Sequence, residues 1–105
     1  MKVVFHIDEL NKWETTKGNI TNLLALKLDI EIRVVVNGQA ILGYLVDENA
    51  DFVSQHPSVT FQACQNAMNS HDVKTDQLPL RTKIVPSGVL AIIKAEEAGF
   101  GYIKP

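Results

Sequence analysis

The stretch Val59-Thr60-Phe61-Gln62-Ala63-Cys64, followed at once by Gln65-Asn66-Ala67-Met68-Asn69, decides how this chain is read. Its first half alternates apolar and polar residues and then turns apolar, as a buried strand does; its second half reads as the opening of a helix that runs to about Ser70. Cys64, the single cysteine of the chain, falls at the junction. A thiol there lies near unpaired backbone N–H groups and the positive end of the helix dipole, and both favour the reactive thiolate.

Upstream of this unit, Lys2 to Ile7 is a short apolar run that predicts a first strand. Asp8 is placed to cap a helix whose apolar positions are Leu10, Trp13, Ile20, Leu24 and Leu28, closed at Asp29. Ile30 to Val36 is a β-branched run suited to a second strand; Asn37-Gly38 makes a turn, and Gln39 to Val46 predicts a short apolar helix. In the polar segment Asp47 to His56, Ala50, Phe52 and Val53 are placed for a further helical turn, before Pro57-Ser58 opens the third strand. Downstream, His71 to Leu80 reads as a polar loop and Arg81 to Val85 as a fourth strand. Ser87 is a plausible N-cap for the last helix, which Gly99 ends, and Phe100 to Ile103 is a short final strand.

Strands separated by helices imply parallel pairing through right-handed crossovers, hence a three-layer α/β sandwich. Ligands in such sheets collect at the carboxyl ends of the strands. That rule gathers His6 and Asp8, Asn37 and Gly38, Cys64 and Asn66, and Pro86 and Ser87 onto one rim.

Length and composition narrow the classes. At 105 residues with 46% hydrophobic and 21% charged residues, one domain with an ample core is expected. A net charge of -2 with scattered basic residues argues against a nucleic-acid binder. One cysteine forms no internal disulfide, so a reducing, cytoplasmic setting is expected. The opening apolar run is too short for a signal peptide, and the longest uncharged stretch, Val34 to Val46, falls short of the roughly 20 residues of a membrane span, so no membrane partner is expected.

That same uncharged stretch predicts a helix without a solvated face, which is normally buried. Thr15, Asn19 and Asn22 add an uncharged stripe on the first helix, with Gly18 beside it, where close approach of another backbone would justify a glycine. Together they predict a homo-oligomer that buries the helix from Gln39 to Val46.

Cys64 has two readings: a small buried hydrophobe at the inner end of a strand, or a nucleophile or persulfide carrier that accepts and yields sulfur by thiol exchange. A hydrolytic thiol would also need a base, and His6 is the best-placed histidine; its plainer role is a strand-end hydrogen bond. His56 and His71 fall in polar segments and are expected in solvent. No histidine or cysteine spacing suits a metal, so no metal site is expected, and no cofactor either. Gly99-Phe100-Gly101 follows a helix and precedes a strand, the reverse of a dinucleotide-binding order, and reads as a turn. Pro86-Ser87-Gly88 is first a helix cap and second an anion cradle. Trp13 is expected in the core or an interface.

Several of these stretches together resemble the small DsrE/DsrF-like proteins, in particular their single-domain branch. They are the opening Val3-Val4-Phe5-His6-Ile7-Asp8; Trp13 with Gly18-Asn19 and Asn22-Leu23-Leu24; Val35-Val36-Asn37-Gly38 with Ala40; Ala63-Cys64-Gln65-Asn66-Ala67-Met68; Val85-Pro86-Ser87-Gly88-Val89; and the ending Gly99-Phe100-Gly101-Tyr102-Ile103-Lys104-Pro105. The resemblance covers essentially the whole chain. It implies a three-layer α/β/α fold with a mostly parallel five-stranded sheet, and assembly into trimers or hexamers. It also implies a persulfide accepted on a cysteine at the position of Cys64. With no second cysteine, a relay would need a partner protein or small thiol as sulfur donor or acceptor. The expectation is therefore a sulfur carrier acting through Cys64, with Asn66 and Ser87 shaping an anion-friendly pocket and His6, Asn37 and Gly38 on its rim. The alternative is a non-catalytic oligomeric binding or assembly module in which Cys64 only packs.

Overall fold

The computed structural model describes residues 1–105. Five strands, β1 (Lys2–Ile7), β2 (Glu31–Val36), β3 (Val59–Cys64), β4 (Lys83–Val85) and β5 (Gly101–Ile103), form one sheet in the order β4-β3-β2-β1-β5. Every neighbouring pair is parallel, with Val3 opposite Ile32, Val34 opposite Phe61 and Cys64 opposite Val85. Four helices connect them: α1 (Trp13–Ala25), α2 (Asp47–Gln55), α3 (Gln65–Ser70) and α4 (Gly88–Glu97).

Right-handed crossovers explain the layers. From β1 through β4 the chain steps across the sheet in one direction, so α1, α2 and α3 fall on one face. The last connection runs back from β4 to the far edge at β5, which sends α4 to the other face. Side-chain alternation shows the result. Val3, Phe5, Ile7, Ile32, Val34, Val36, Val59 and Phe61 join Trp13, Ile20, Val53 and Met68 in a core of 19 buried residues. Val4 and Val35 point the other way and form a smaller cluster with Ala95 and Phe100, against which Ala91 and Ile92 pack. This is a three-layer α/β/α domain, and its sheet is wholly parallel. No helix is long and apolar enough to cross a membrane.

Several boundaries depart from the sequence reading. Asp8 does not cap the first helix; its carboxylate pairs with Lys104 at 2.6 Å. The chain first makes a 3₁₀ turn at Leu10–Lys12, and α1 starts at Trp13, whose indole Nε1–H donates to the Ala40 carbonyl at 2.9 Å. The helix ends at Ala25 rather than near Asp29 because Lys27 turns left-handed, with φ 57°, and leaves Leu28 exposed. The fourth strand is only Lys83–Val85: Pro79 to Thr82 forms a turn closed by the Thr82 N–H on the Pro79 carbonyl. The polar loop after α3 contains a 3₁₀ turn at Thr75–Gln77.

The largest correction concerns the uncharged helix. Gly38–Leu45 is a 3₁₀ helix whose Ala40, Ile41, Gly43 and Tyr44 are buried by the protomer itself. Trp13 lies directly over Gly43, where an added Cβ would fall 1.9 Å from the indole Nε1, and it meets Tyr44 edge-on at 5.1 Å. Asn49 closes the far end by donating from Nδ2 to the Gly43 carbonyl at 2.9 Å. The apolar character of the four buried residues is thus satisfied within one chain and does not require a subunit interface. Gly18 likewise has no backbone close to it within the chain; a Cβ there would meet open space.

Candidate functional site

Parallel sheets bind at the point where connections from neighbouring strands leave toward opposite faces. After β3 the chain turns into α3 on one face; after β4 it turns into α4 on the other. The carboxyl ends of these two adjacent strands therefore part around a crevice of about 290 Å³. Asn37, Gly38, Cys64, Asn66 and Ser87 all line it. Five residues expected on the rim from sequence are thus brought together, although they come from three separate stretches of chain.

Each is held for a local reason. Cys64 is the N-cap of α3, with extended backbone at φ -72° and ψ 119°, and is 5% exposed. Gly38 adopts φ 53°, the left-handed region, and a Cβ there would stand 3.1 Å from the Asp8 carbonyl oxygen. Both constraints favour glycine. Ser87 caps α4, its Oγ accepting from the Leu90 N–H at 3.2 Å. Gly88 lets α4 begin directly over Asn37: a Cβ at Gly88 would fall 3.0 Å from the Asn37 Cβ.

His6 lies behind this wall rather than in it. Its Nε2 bonds Asn37 Oδ1 at 2.8 Å and its Nδ1 bonds the Tyr102 hydroxyl at 2.7 Å. An amide oxygen only accepts, so Nε2 carries the proton, and in the neutral ring Nδ1 accepts from Tyr102. The Asn37 amide thus turns its oxygen toward His6. Both ring nitrogens are occupied by these partners, so the arrangement is not a His–Cys nucleophilic pair. Asp8, also expected on the rim, is turned to Lys104, whose hydrogen bond holds its carboxyl below the usual carboxylate range against the opposing effect of burial. Pro86 faces a separate small cavity with Arg33 and Gln62.

Gly88, part of the possible anion cradle, also lines the crevice; sequence reasoning missed the other four lining residues, Ala67, Ser70, His71 and Val89. His71 was expected in solvent, yet it lines the same cavity as the thiol. The signal was available, because Cys64, Ala67 and His71 are spaced i, i+3, i+7 and so share one side of α3. His56 is also not free in solvent: it stacks on Phe52 at 3.9 Å and donates from Nδ1 to the Phe52 carbonyl at 2.7 Å.

No group of three or more His, Cys, Asp or Glu side chains is arranged to hold a metal ion. Chemically, the crevice offers one thiol, amide and hydroxyl groups and an imidazole, in a wall without carboxylates.

The fold and site define a parallel α/β/α domain with a polar strand-end crevice around a lone thiol. Among solved structures, the chain is similar to a protein of unknown function from Methanobacterium thermoautotrophicum, with a TM-score of 0.87 and 30% sequence identity over 99% of this chain and 98% of that one. The chain belongs to the same family as that protein. No protein-family model matches it, and a comparison with curated proteins finds no match.

Proposed function

We propose that this protein is a DsrE/DsrF-like sulfur carrier that takes up a persulfide on Cys64. One observation carries the reading: the only thiol of the chain lines a strand-end crevice walled by Asn37, Asn66 and Ser87 rather than closed by apolar side chains alone. The chemistry is redox-neutral exchange. The Cys64 thiolate attacks the outer sulfur of a donor persulfide; the donor S–S bond breaks, the donor leaves as a thiolate, and a new S–S bond forms on Cys64. An acceptor thiolate then attacks that outer sulfur and releases Cys64. Amide N–H groups of Asn37 and Asn66 would stabilise the persulfide anion, and the donor and acceptor are partner proteins or small thiols. A free thiol of this kind persists in a reducing cytoplasm.

We further infer self-association through α4 rather than through the buried 3₁₀ helix. Val89, Leu90 and Ile93 leave an exposed apolar surface on this helix, and Val89 borders the crevice. A contrary reading rests on the low exposure of Cys64, which also joins the main core: the thiol then only packs, and the crevice belongs to a binding or assembly module.

The discriminating experiment treats native protein, with its mass in solution fixed by light scattering, with glutathione persulfide and follows it by mass spectrometry. A gain of one sulfur on Cys64, removed by a thiol reductant and absent in Cys64→Ala, is the expected result. A thiol that reacts only after unfolding removes the carrier reading, and a monomer at micromolar concentration removes the α4 interface.

A further inference from the structure

At the amino ends of β3 and β4, away from Cys64, lies a cleft of about 420 Å³. Acidic side chains outnumber basic ones in the chain, 12 to 10. The cleft reverses that balance: His56, Arg81 and Lys83 line it and no carboxylate does. It arises because β3 begins before β4 does. Pairing between them starts at Gln62 opposite Lys83, which leaves Val59 to Phe61 without a neighbour on that edge.

The turn that draws β4 aside places Arg81 in the left-handed region at φ 73°. Its third position favours glycine or asparagine in a turn of this kind, so an arginine is kept there against backbone preference. Part of its role is structural. Nη2 donates to the Ser54 carbonyl at 2.7 Å, and His56 donates to Phe52, so both satisfy carbonyls at the end of α2. Three features are left over. The remaining guanidinium donors have no carboxylate partner, and Lys83 has none either. The Thr82 Oγ1 is buried with no hydrogen-bond partner. Buried hydroxyls are ordinarily satisfied, and two unneutralised cations lining one cleft attract an anion.

We propose that this cleft binds a small molecule through a phosphate group, held by Arg81 and Lys83 with the Thr60 and Thr82 hydroxyls, its organic part resting on Pro57 and Phe61. Two cations and two hydroxyls suit a dianion with three equivalent oxygens better than a single carboxylate. The cleft has the size of a small-molecule site and exceeds what a bare phosphate fills. The site is independent of the thiol chemistry at the other end of the strands.

The test is an NMR titration of the intact protein with inorganic phosphate and with phenyl phosphate, at constant ionic strength set by chloride. Saturable shifts at Thr60, Arg81, Thr82 and Lys83, with tighter binding of phenyl phosphate, are expected. Arg81→Gly, which suits the left-handed backbone, and Lys83→Gln, at an exposed position, should each weaken binding about tenfold or more. Should loss of the Ser54 bond unsettle α2, Lys83→Gln decides alone. Shifts that do not saturate, that chloride reproduces, or that persist undiminished in Lys83→Gln overturn the proposal.

Discussion

The two faces of the sheet are built from the same strands and differ in almost everything else. One is covered by α1, α2, α3 and a buried 3₁₀ helix, and holds 19 buried residues in a single cluster. The other carries α4 alone, and its cluster holds four buried residues, Ala95 of α4 among them. There Phe100 is roofed by charged side chains, with the Arg33 guanidinium 4.1 Å and the Lys2 ammonium 5.6 Å from the ring centroid. Since one direction of strand stepping puts every crossover on one side, the asymmetry follows from topology and not from strand composition. It places rigidity on the thick side and exposed apolar surface on the thin one, and the crevice opens where the two layers part.

The strongest way to break the thick side is Gly43→Ala. A Cβ 1.9 Å from the indole nitrogen of a 2%-exposed Trp13 has no room. Overpacking of this kind costs about 3 kcal/mol, and the indole would also lose its bond to Ala40. Urea unfolding should show the loss; one below about 1 kcal/mol would mean that the indole swings aside at little cost.

A sharper comparison uses neighbours in one strand. Val34 and Val35 are both fully buried but point to opposite faces. Valine to alanine should cost about 2.5 kcal/mol at Val34 and about 1.5 kcal/mol at Val35, because a thin layer collapses more readily into the cavity. Equal costs would show that the single helix α4 packs as rigidly as the opposite layer.

The smallest effect is a pH dependence confined to the thick side. Tyr44 is fully buried, and burial raises its phenol well above the ordinary range. Its hydroxyl donates to the Gln62 carbonyl at 2.8 Å. With the folded value raised, the contribution is complete below about pH 10, where the unfolded phenol is also neutral. Above that it is lost as the unfolded chain ionises first, by up to about 1.4 kcal/mol per pH unit. Denaturation midpoints at rising pH should fall, and Tyr44→Phe should flatten the decline. An unchanged slope in that variant would place the alkaline sensitivity elsewhere.

Element type was legible from local pattern. The apolar run Lys2–Ile7, the alternation in Val59–Cys64, and the Ser87 cap before α4 identified strands and helix where the structure has them. Gathering Asn37, Gly38, Cys64, Asn66 and Ser87 needed only the rule that parallel strands share one carboxyl end. His71 was missed because it was read as loop, although its spacing from Cys64 already marked the shared helix side. Asp8 was misplaced because a carboxylate before a helix is a sound local cap, while its actual partner, Lys104, lies 96 residues away.

Local sequence thus determined the alternation of strands and helices, the parallel class of the sheet and the residues at the strand ends, because hydrophobic period and capping act over a few residues. Tertiary structure alone decided that most of the uncharged segment packs inside one protomer, that His6 serves Asn37 and Tyr102 rather than the thiol, and that Arg81 and Lys83 line one cleft. Those outcomes depend on which distant groups meet, and a period of two or 3.6 residues carries no information about distant partners.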